Sequence, residues 1–167
     1  YTETGIITVF DTMISTFPLA PNAVETIPPA VDNQQAGDDT IRNASGATYN
    51  VNFMDASGLD TVQYKVTTGV NQTGTLVIDW INIAVLGGTT FYTTDWQVDF
   101  SSLASMPQTN YVSVRAWDVV GNTVTVNDAF HIYMDTISPV SPGLFSPADN
   151  LNTNSYPLTF DWADCPD

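Results

Sequence analysis

The sequence predicts an all-β fold, and three observations support this prediction. Several short runs alternate apolar and polar residues, no stretch shows the 3.6-residue periodicity of a helix, and turn-forming residues separate the runs. Side chains on a strand point alternately to its two faces, so each run is expected to be one half-buried strand. Short strands at this spacing are typical of a β-sandwich.

Both ends of the chain are predicted to lie outside a central domain. Residues 1–12 (YTETGIITVFDT) form a short apolar run, and its ending, Phe10-Asp11-Thr12, is echoed by Met134-Asp135-Thr136. Because internal repetition indicates tandem units, we assign residues 1–17 to the last strand of a preceding repeat and a linker. Residues 18–138 form the complete domain, and residues 139–167 form a linker and the start of a following repeat. Alternatively, residues 1–12 are a strand donated to a neighbouring copy.

The first part of the central domain is predicted to contain an edge strand and several core strands. The prolines of residues 18–30 favour an edge strand or a linker. Residues 55–60 (DASGLD) have the composition of a loop between two strands. Residues 74–85 are apolar on both faces, which predicts a strand covered on both sides or at an interface, and Leu86-Gly87-Gly88 is expected to end it. The alternating positions are Tyr49, Val51 and Phe53, then Val62, Tyr64 and Val66, and in a later strand Trp96, Val98 and Phe100.

Residues 110–139 predict a β-hairpin. Its turn, Asp118-Val119-Val120-Gly121-Asn122, contains the Gly and Asn that supply positive φ in tight connections. The apolar faces are Val112, Val114 and Ala116 in the first strand and Val124, Val126, Phe130, Ile132 and Met134 in the second.

The same hairpin resembles the last two strands of bacterial immunoglobulin-like domains, the tandem modules of large cell-surface and secreted proteins. The resemblance lies in "RAWDVVGNTV", in the linker formed by Asp135, Thr136 and Pro139, and in "D-x-S-G-L-D" followed by "V-x-Y-x-V"; it spans about residues 21–139. It implies an Ig-like (Greek-key) β-sandwich flanked by fragments of neighbouring repeats. One departure is Asn110, which stands where the family often has a tyrosine that ties down the corner before the penultimate strand.

The charge balance excludes several partners. The chain has 3 basic and 18 acidic residues and a net charge of −15, whereas nucleic-acid binding depends on Lys and Arg that neutralise phosphates. Anionic membrane surfaces are disfavoured for the same reason. No apolar run approaches the roughly 20 residues of a membrane helix, and the single cysteine, Cys165, excludes an intrachain disulfide.

A calcium site is one hypothesis for the acidic loops. An Ig-like sandwich would bring residues 55–60, the turn at residues 118–122 and the N-terminal linker to one end of the domain. Calcium prefers six to eight oxygen ligands, and a site at this junction would stiffen successive domains. The other interpretation is that these residues only form turns. The candidate ligands are Asp11, Asp55, Asp60, Asp118 and Asn122.

The sequence suggests two further kinds of site, a carbohydrate-binding platform and N-glycosylation acceptors. Trp117 and Tyr111 share the strand face opposite its valines and are candidates for a carbohydrate-binding platform, although aromatic residues also pack in β cores. Asn43 and Asn71 begin sequences that match the N-glycosylation acceptor pattern. Lys65 is expected to point outward, which disfavours an internal isopeptide bond.

No catalytic motif is present in the sequence: there is one histidine, and neither a nucleophile elbow nor a phosphate-binding glycine loop. We therefore predict a non-enzymatic structural repeat, extracellular or at the cell surface, that acts as a spacer or stalk in an adhesin, surface layer or filament. Its expected partners are neighbouring repeats or copies of itself, and Ca²⁺ is the one cofactor that the acidic loops suggest. The alternatives are a filament subunit that donates residues 1–12 and a carbohydrate-binding module for cell-surface glycans.

Overall fold

The computed structural model describes residues 24–35, 38–148, 150–154 and 156–164. These residues contain β-strands and one short 3-10 turn, so the predicted all-β class is confirmed, and no helix among them is long and apolar enough to cross a bilayer. The predicted strand at residues 1–12 lies outside the described residues. The strands are β1 (Ala30–Asn33), β2 (Asp38–Arg42), β3 (Val51–Gly69), β4 (Thr73–Tyr92), β5 (Thr109–Asp118), β6 (Thr123–Met134), β7 (Leu144–Ser146) and β8 (Asp161–Trp162); the 3-10 turn is Phe100–Ser102.

β3 is the strand around which the main sheet is built. Its first residues pair with β1 and its later residues pair with β5, both antiparallel, while β4 pairs antiparallel along the other edge of β3. β6 pairs with β5, and β2 completes the sheet by pairing with β6 in parallel. This mixed sheet is consistent with a β-sandwich.

Residues 55–60 belong to β3 and are not the loop that their composition suggests. The register of β3 against β4 shifts between Met54 and Leu59, and Gly58 within this bulge has a φ of 106°. The Asp55 carboxylate accepts hydrogen bonds from the Ser57 N–H (2.8 Å), the Ser57 hydroxyl (2.6 Å) and the Gly58 N–H (3.1 Å). The turn-like local bonding is therefore present, but it lies inside a continuous strand.

β4 also differs from its prediction. It continues through Gly87 and Gly88, whose φ values of 57° and 104° accommodate irregular pairing without ending the strand. Within the described residues most side chains of β4 are exposed or half-buried, and Val85 is 69% exposed. The described residues therefore do not cover both faces of this strand, and the alternative of an interface stays a prediction.

An aromatic cluster forms the centre of the core. The Tyr49 ring stacks on Phe130 with 4.4 Å between centroids, and Tyr64 stacks on Trp96 at 5.3 Å. The predicted strand at Trp96 is only a single bridge to Tyr49, followed by the 3-10 turn. Residues 96–103 therefore bury their apolar side chains against the sheet without pairing as a strand.

The predicted hairpin of β5 and β6 is confirmed. Val112, Val114 and Ala116 are fully buried, and Phe130 and Ile132 face the same core. Val112 pairs with Phe130 and Val114 with Val126, so β6 has two extra residues at a bulge there. Because the number of inserted residues is even, the apolar positions of β6 stay on one face.

Asn110 secures the corner that precedes β5. Its side chain is fully buried, and its amide donates to the Ala104 carbonyl (2.8 Å) and accepts from the Ala104 N–H (2.9 Å). A second donation reaches the Ile132 carbonyl at 3.3 Å. Asn110 therefore ties the loop backbone to the start of β5 by direct hydrogen bonds.

β7 and β8 form a separate two-stranded sheet after the main one. Several apolar side chains near this pair are exposed, including Phe145, Phe160 and Trp162. A two-stranded pair without a packed face is marginally stable alone, and within the described residues these side chains remain exposed.

Candidate functional site

A cluster of hydrogen-bonded polar side chains lies at the turn between β5 and β6. The Asp118 side chain is 2% exposed, and its Oδ1 accepts hydrogen bonds from the N–H groups of Val120 (2.9 Å) and Asn122 (2.8 Å). Its Oδ2 accepts from the Asn122 side-chain amide at 2.7 Å. The turn is therefore closed by its own first residue.

These contacts determine the charge of the Asp118 carboxyl group. Burial raises its pKa, but the hydrogen bonds from Asn122, Val120 and Gly121 act in the opposite direction, and the net result is a pKa below the ordinary value of 3.8. Hydrogen bonds to a carboxylate stabilise its ionised form. The cluster therefore retains a buried negative charge at neutral pH.

Glu25 extends the cluster to the segment before β1. The Asn122 amide nitrogen donates to Glu25 Oε2 at 2.6 Å and approaches the Glu25 carbonyl at 3.5 Å, while Glu25 Oε1 accepts from the Ile27 N–H at 2.5 Å. Two carboxylates and a main-chain carbonyl thus surround one amide. Oxygen groups of these kinds suit a hard cation, and half a turn of the amide would present its oxygen in place of its nitrogen.

The other predicted metal ligands are not part of this cluster. The Asp55 carboxylate is occupied by Ser57 and Gly58, and Asp60 is exposed with its Oδ2 bonded to the Thr61 hydroxyl. Asp11 lies outside the described residues. Within the described ranges, no group of three or more His, Cys, Asp or Glu side chains has the arrangement of a metal site.

The aromatic candidates occupy the outer face of the main sheet. The guanidinium carbon of Arg115 lies 4.4 Å from the Trp117 ring centroid and 4.1 Å from that of Trp80. Arg115 Nε also donates to Gln63 Oε1 at 2.8 Å. Burial lowers the Arg115 pKa, and the nearby Asp79 charge partly opposes this effect. Trp117 therefore contacts an arginine in a cation–π arrangement.

Tyr111 lies on β5 in a different row from Trp117. It pairs with Thr67 on one side and His131 on the other, whereas Trp117 pairs with Thr61 and Thr123. Six residues along a strand correspond to roughly 20 Å, so the two rings belong to separate parts of the face.

The two glycosylation candidates lie in exposed connections. Asn43 follows β2 directly and is exposed. Asn71 is in the turn between β3 and β4, and its N–H donates to Asp128 Oδ2 at 2.6 Å. Lys65 lies on the outer face with its ammonium group 5.8 Å from the Trp80 ring centroid.

Sequence reasoning missed two contributors to these sites. Glu25 lies in a proline-rich segment with no local pattern that links it to a turn about a hundred residues later. Arg115 stands two residues before Trp117, and this Arg-x-Trp spacing, which places both side chains on one face of the strand, is the signal that could have found the stacked pair. Trp80 reaches the pair only through the long β3–β4 pairing.

Comparisons of the chain with protein-family models, curated proteins and solved structures find no match.

Proposed function

We propose that this chain is a non-enzymatic structural repeat of an extracellular protein, in which the main sheet resists force applied along the chain. The part of the chain that forms β1 to β6 is called the main unit below. The observation that supports the proposal most strongly is the parallel pairing of β2 with β6, near the two ends of this unit. Asp38 pairs with Ile132 and Arg42 with Met134, and the Asp135 N–H donates to the Arg42 carbonyl at 2.9 Å.

Parallel pairing of β2 with β6 favours mechanical resistance for a geometric reason. When two parallel neighbours are pulled from the start of one and the end of the other, the force acts along the strands. All hydrogen bonds between them are then strained together. Pulling across the strands instead breaks the bonds one after another at lower force.

The pairing of β3 supports the Ig-like part of the proposal. Ig sandwiches divide strands A, B, E and D from strands C, F and G. β1 pairs with the first part of β3, while β5 and β6 follow its second part. This pattern is expected if β3 supplies strands B and C in succession.

The exposed apolar side chains around β7 and β8 support a tandem arrangement. We interpret this pair as the start of a further repeat that additional strands would cover. Removal of residues 139–167 is then expected to leave the thermal midpoint of the main unit unchanged, because the two parts fold separately. A fall of several degrees on truncation would contradict this interpretation.

A calcium ion at Glu25, Asp118 and Asn122 is a further part of the proposal. These residues join the incoming chain to the β5–β6 turn, so a cation there would stiffen the start of the unit. Thermal melts in EDTA and in added Ca²⁺ test it, since a ligand that binds only the folded state raises the midpoint. The site is supported if added Ca²⁺ raises the midpoint of the wild type and of the control variant Asp60→Asn but not that of Glu25→Gln. Equal midpoints of the wild type in both solutions would show that these residues only form the turn.

A further inference from the structure

Two basic side chains of this acidic chain meet at one tryptophan on the outer face of the main sheet. The guanidinium carbon of Arg115 lies 4.1 Å from the Trp80 ring centroid, and the Lys65 ammonium nitrogen lies 5.8 Å from it. The whole chain has 3 Lys and Arg residues against 18 acidic residues. Two of its three basic groups are therefore concentrated at one place on this face.

A row of polar side chains across three strands holds the Arg115 guanidinium in place. Asn82 on β4 pairs with Gln63 on β3, and Gln63 pairs with Arg115 on β5. Arg115 Nε donates to Gln63 Oε1 at 2.8 Å, and Gln63 Nε2 donates to Asn82 Oδ1 at 2.6 Å. The Trp80 and Trp117 rings lie against the guanidinium at 4.1 and 4.4 Å. Because these contacts already order the side chain, little entropy is lost when its remaining N–H groups bind an acceptor.

The acidic residues nearby do not neutralise Arg115. Asp79 Oδ1 accepts a hydrogen bond from the Trp80 N–H at 2.8 Å, and Asp60 Oδ2 accepts one from the Thr61 hydroxyl at 3.0 Å. Among the described residues, no carboxylate forms an ion pair with Arg115, and only its Nε donates a hydrogen bond to the protein. The two terminal nitrogens are thus left for a bound acceptor, and a guanidinium group binds carboxylates through two parallel hydrogen bonds.

A shallow recess of about 270 Å³ adjoins the stacked arginine. It is lined by Asp60, Thr61, Gln63 and Trp117, so it combines an indole with hydroxyl, amide and carboxylate groups. An aromatic ring offers an apolar surface to the C–H groups of a sugar, and the polar groups fix its orientation through the hydroxyls. The recess is at the small end of ligand sites, which suits one sugar ring.

We propose that this surface binds an acidic sugar of the hexuronic acid class within a longer glycan. The sugar carboxylate accepts two hydrogen bonds from the Arg115 guanidinium, Lys65 adds a second positive charge, and the sugar ring lies in the recess against Trp117. A neutral sugar would leave the guanidinium without a partner. The inference goes beyond the mechanical role and does not rest on it, because that role depends on the pairing of β2 with β6.

The overall charge of the chain favours a glycan over a second copy as the occupant. A second copy would bring a net charge of −15, which repels the equally charged partner. A short glycan brings one negative charge for each acidic sugar. Exposed acidic residues elsewhere on the chain act on it weakly, because the Debye length is about 8 Å at physiological ionic strength.

Calorimetric titration of the full-length chain with two tetrasaccharides tests the proposal. One is a tetramer of galacturonic acid, and the other is the same tetramer with methyl-esterified carboxyl groups, which removes the charge and keeps the rings. We expect the acid to bind about tenfold more tightly than the ester, because charge-assisted hydrogen bonds are stronger than neutral ones. Equal affinities would overturn the proposal, and so would a failure of galacturonic, glucuronic and mannuronic acid tetramers to bind at millimolar concentration.

Variants of the basic residues locate the site. Arg115→Gln is expected to weaken binding of the acid by about tenfold, and Arg115→Lys by nearly as much, because lysine keeps the charge but lacks the planar guanidinium fork. Arg42→Gln is the matched control, since it removes the same charge from β2 at the edge of the main sheet. We expect it to weaken binding by less than about twofold. Equal losses for Arg115→Gln and Arg42→Gln would show a response to net charge alone and would overturn the proposal.

Gln63→Glu tests the same site without removing the arginine, in case Arg115→Gln does not fold. The introduced carboxylate lies beside Arg115 Nε, pairs with the guanidinium and competes with the sugar. We expect a several-fold weaker affinity with no fall in the thermal midpoint. Undiminished binding would overturn the proposal, and so would a dimer in sedimentation experiments that Arg115→Gln dissociates, which would identify a second copy as the occupant. Neither outcome bears on the removal of residues 139–167, so this proposal and the proposed function fail separately.

Discussion

Replacing Gly58 with alanine is expected to destabilise the main unit strongly, because the backbone of this residue on β3 lies close to the backbone of Gly88 on β4. An added Cβ would lie 2.5 Å from the Gly88 carbonyl oxygen and 2.8 Å from the Gly88 Cα, and both are backbone atoms that cannot rotate away. The φ of 106° adds backbone strain. Gly58 is also held by the β5–β6 turn, since the Val119 N–H donates to its carbonyl at 2.9 Å.

The size of the effect follows from these separate contributions. Backbone strain costs about 1–3 kcal/mol, and forcing an extra methyl group into a packed contact costs about 1–3 kcal/mol. Restricting the unfolded chain recovers about 0.4–1 kcal/mol. We therefore expect Gly58→Ala to lower the free energy of unfolding by roughly 1–5.5 kcal/mol.

Gly88→Ala is the matched control from the other side of the same contact. Its φ is 104°, but the nearest atom to an added Cβ is Val119 Cγ1 at 3.7 Å, which is ordinary contact. Only the backbone strain applies, so we expect a smaller loss of about 0–2.5 kcal/mol. Urea unfolding followed by tryptophan fluorescence measures both variants. Equal losses, or a larger loss for Gly88→Ala, would refute the reasoning from the close approach.

Two more predictions concern buried polar side chains. Asn110→Ala leaves the Ala104 backbone groups without their partner, and we expect it to lower the free energy of unfolding by about 2–4 kcal/mol in urea titrations; a loss below about 1 kcal/mol would contradict the corner role. Asp118→Asn tests the lowered pKa of Asp118. Because that pKa is depressed, its contribution to stability is present above the ordinary value of 3.8 and is lost as the pH falls through the folded-state pKa. Thermal midpoints of the wild type are thus expected to fall more steeply below about pH 4 than those of the variant, and parallel curves would contradict this.

The sequence was most informative where its signals are local. Alternation in residues 112–116 and the Gly and Asn of the following turn predicted the β5–β6 hairpin, because period-two burial and positive φ depend on neighbouring residues. The bulge at Asp128 did not disturb the pattern, since it inserts two residues and preserves the inward face of β6.

The rest depends on contacts between distant residues. The composition of residues 55–60 correctly indicates turn-like hydrogen bonds, but the pairing of Met54 and Leu59 with β4 on either side of the bulge keeps this stretch within one strand. The candidate site was anticipated at Asp118 and Asn122, which are close in sequence. Glu25 could not be anticipated, because its position beside Asn122 depends on how the chain enters the sheet.

The most direct test of the central claim is a single-molecule pulling experiment in two directions. In a Cys165→Ser background, handles attached through Val24→Cys and Ile137→Cys pull along the chain, so that the force reaches β2 and β6 by way of β1. Handles through Val70→Cys and Ile137→Cys pull across the sheet. The second direction is lateral because Thr67, Tyr111 and His131 form one cross-strand row at that end. The account predicts a clearly higher unfolding force along the chain than across it. Equal forces, or a lower force along the chain, would contradict a role as a force-resisting repeat.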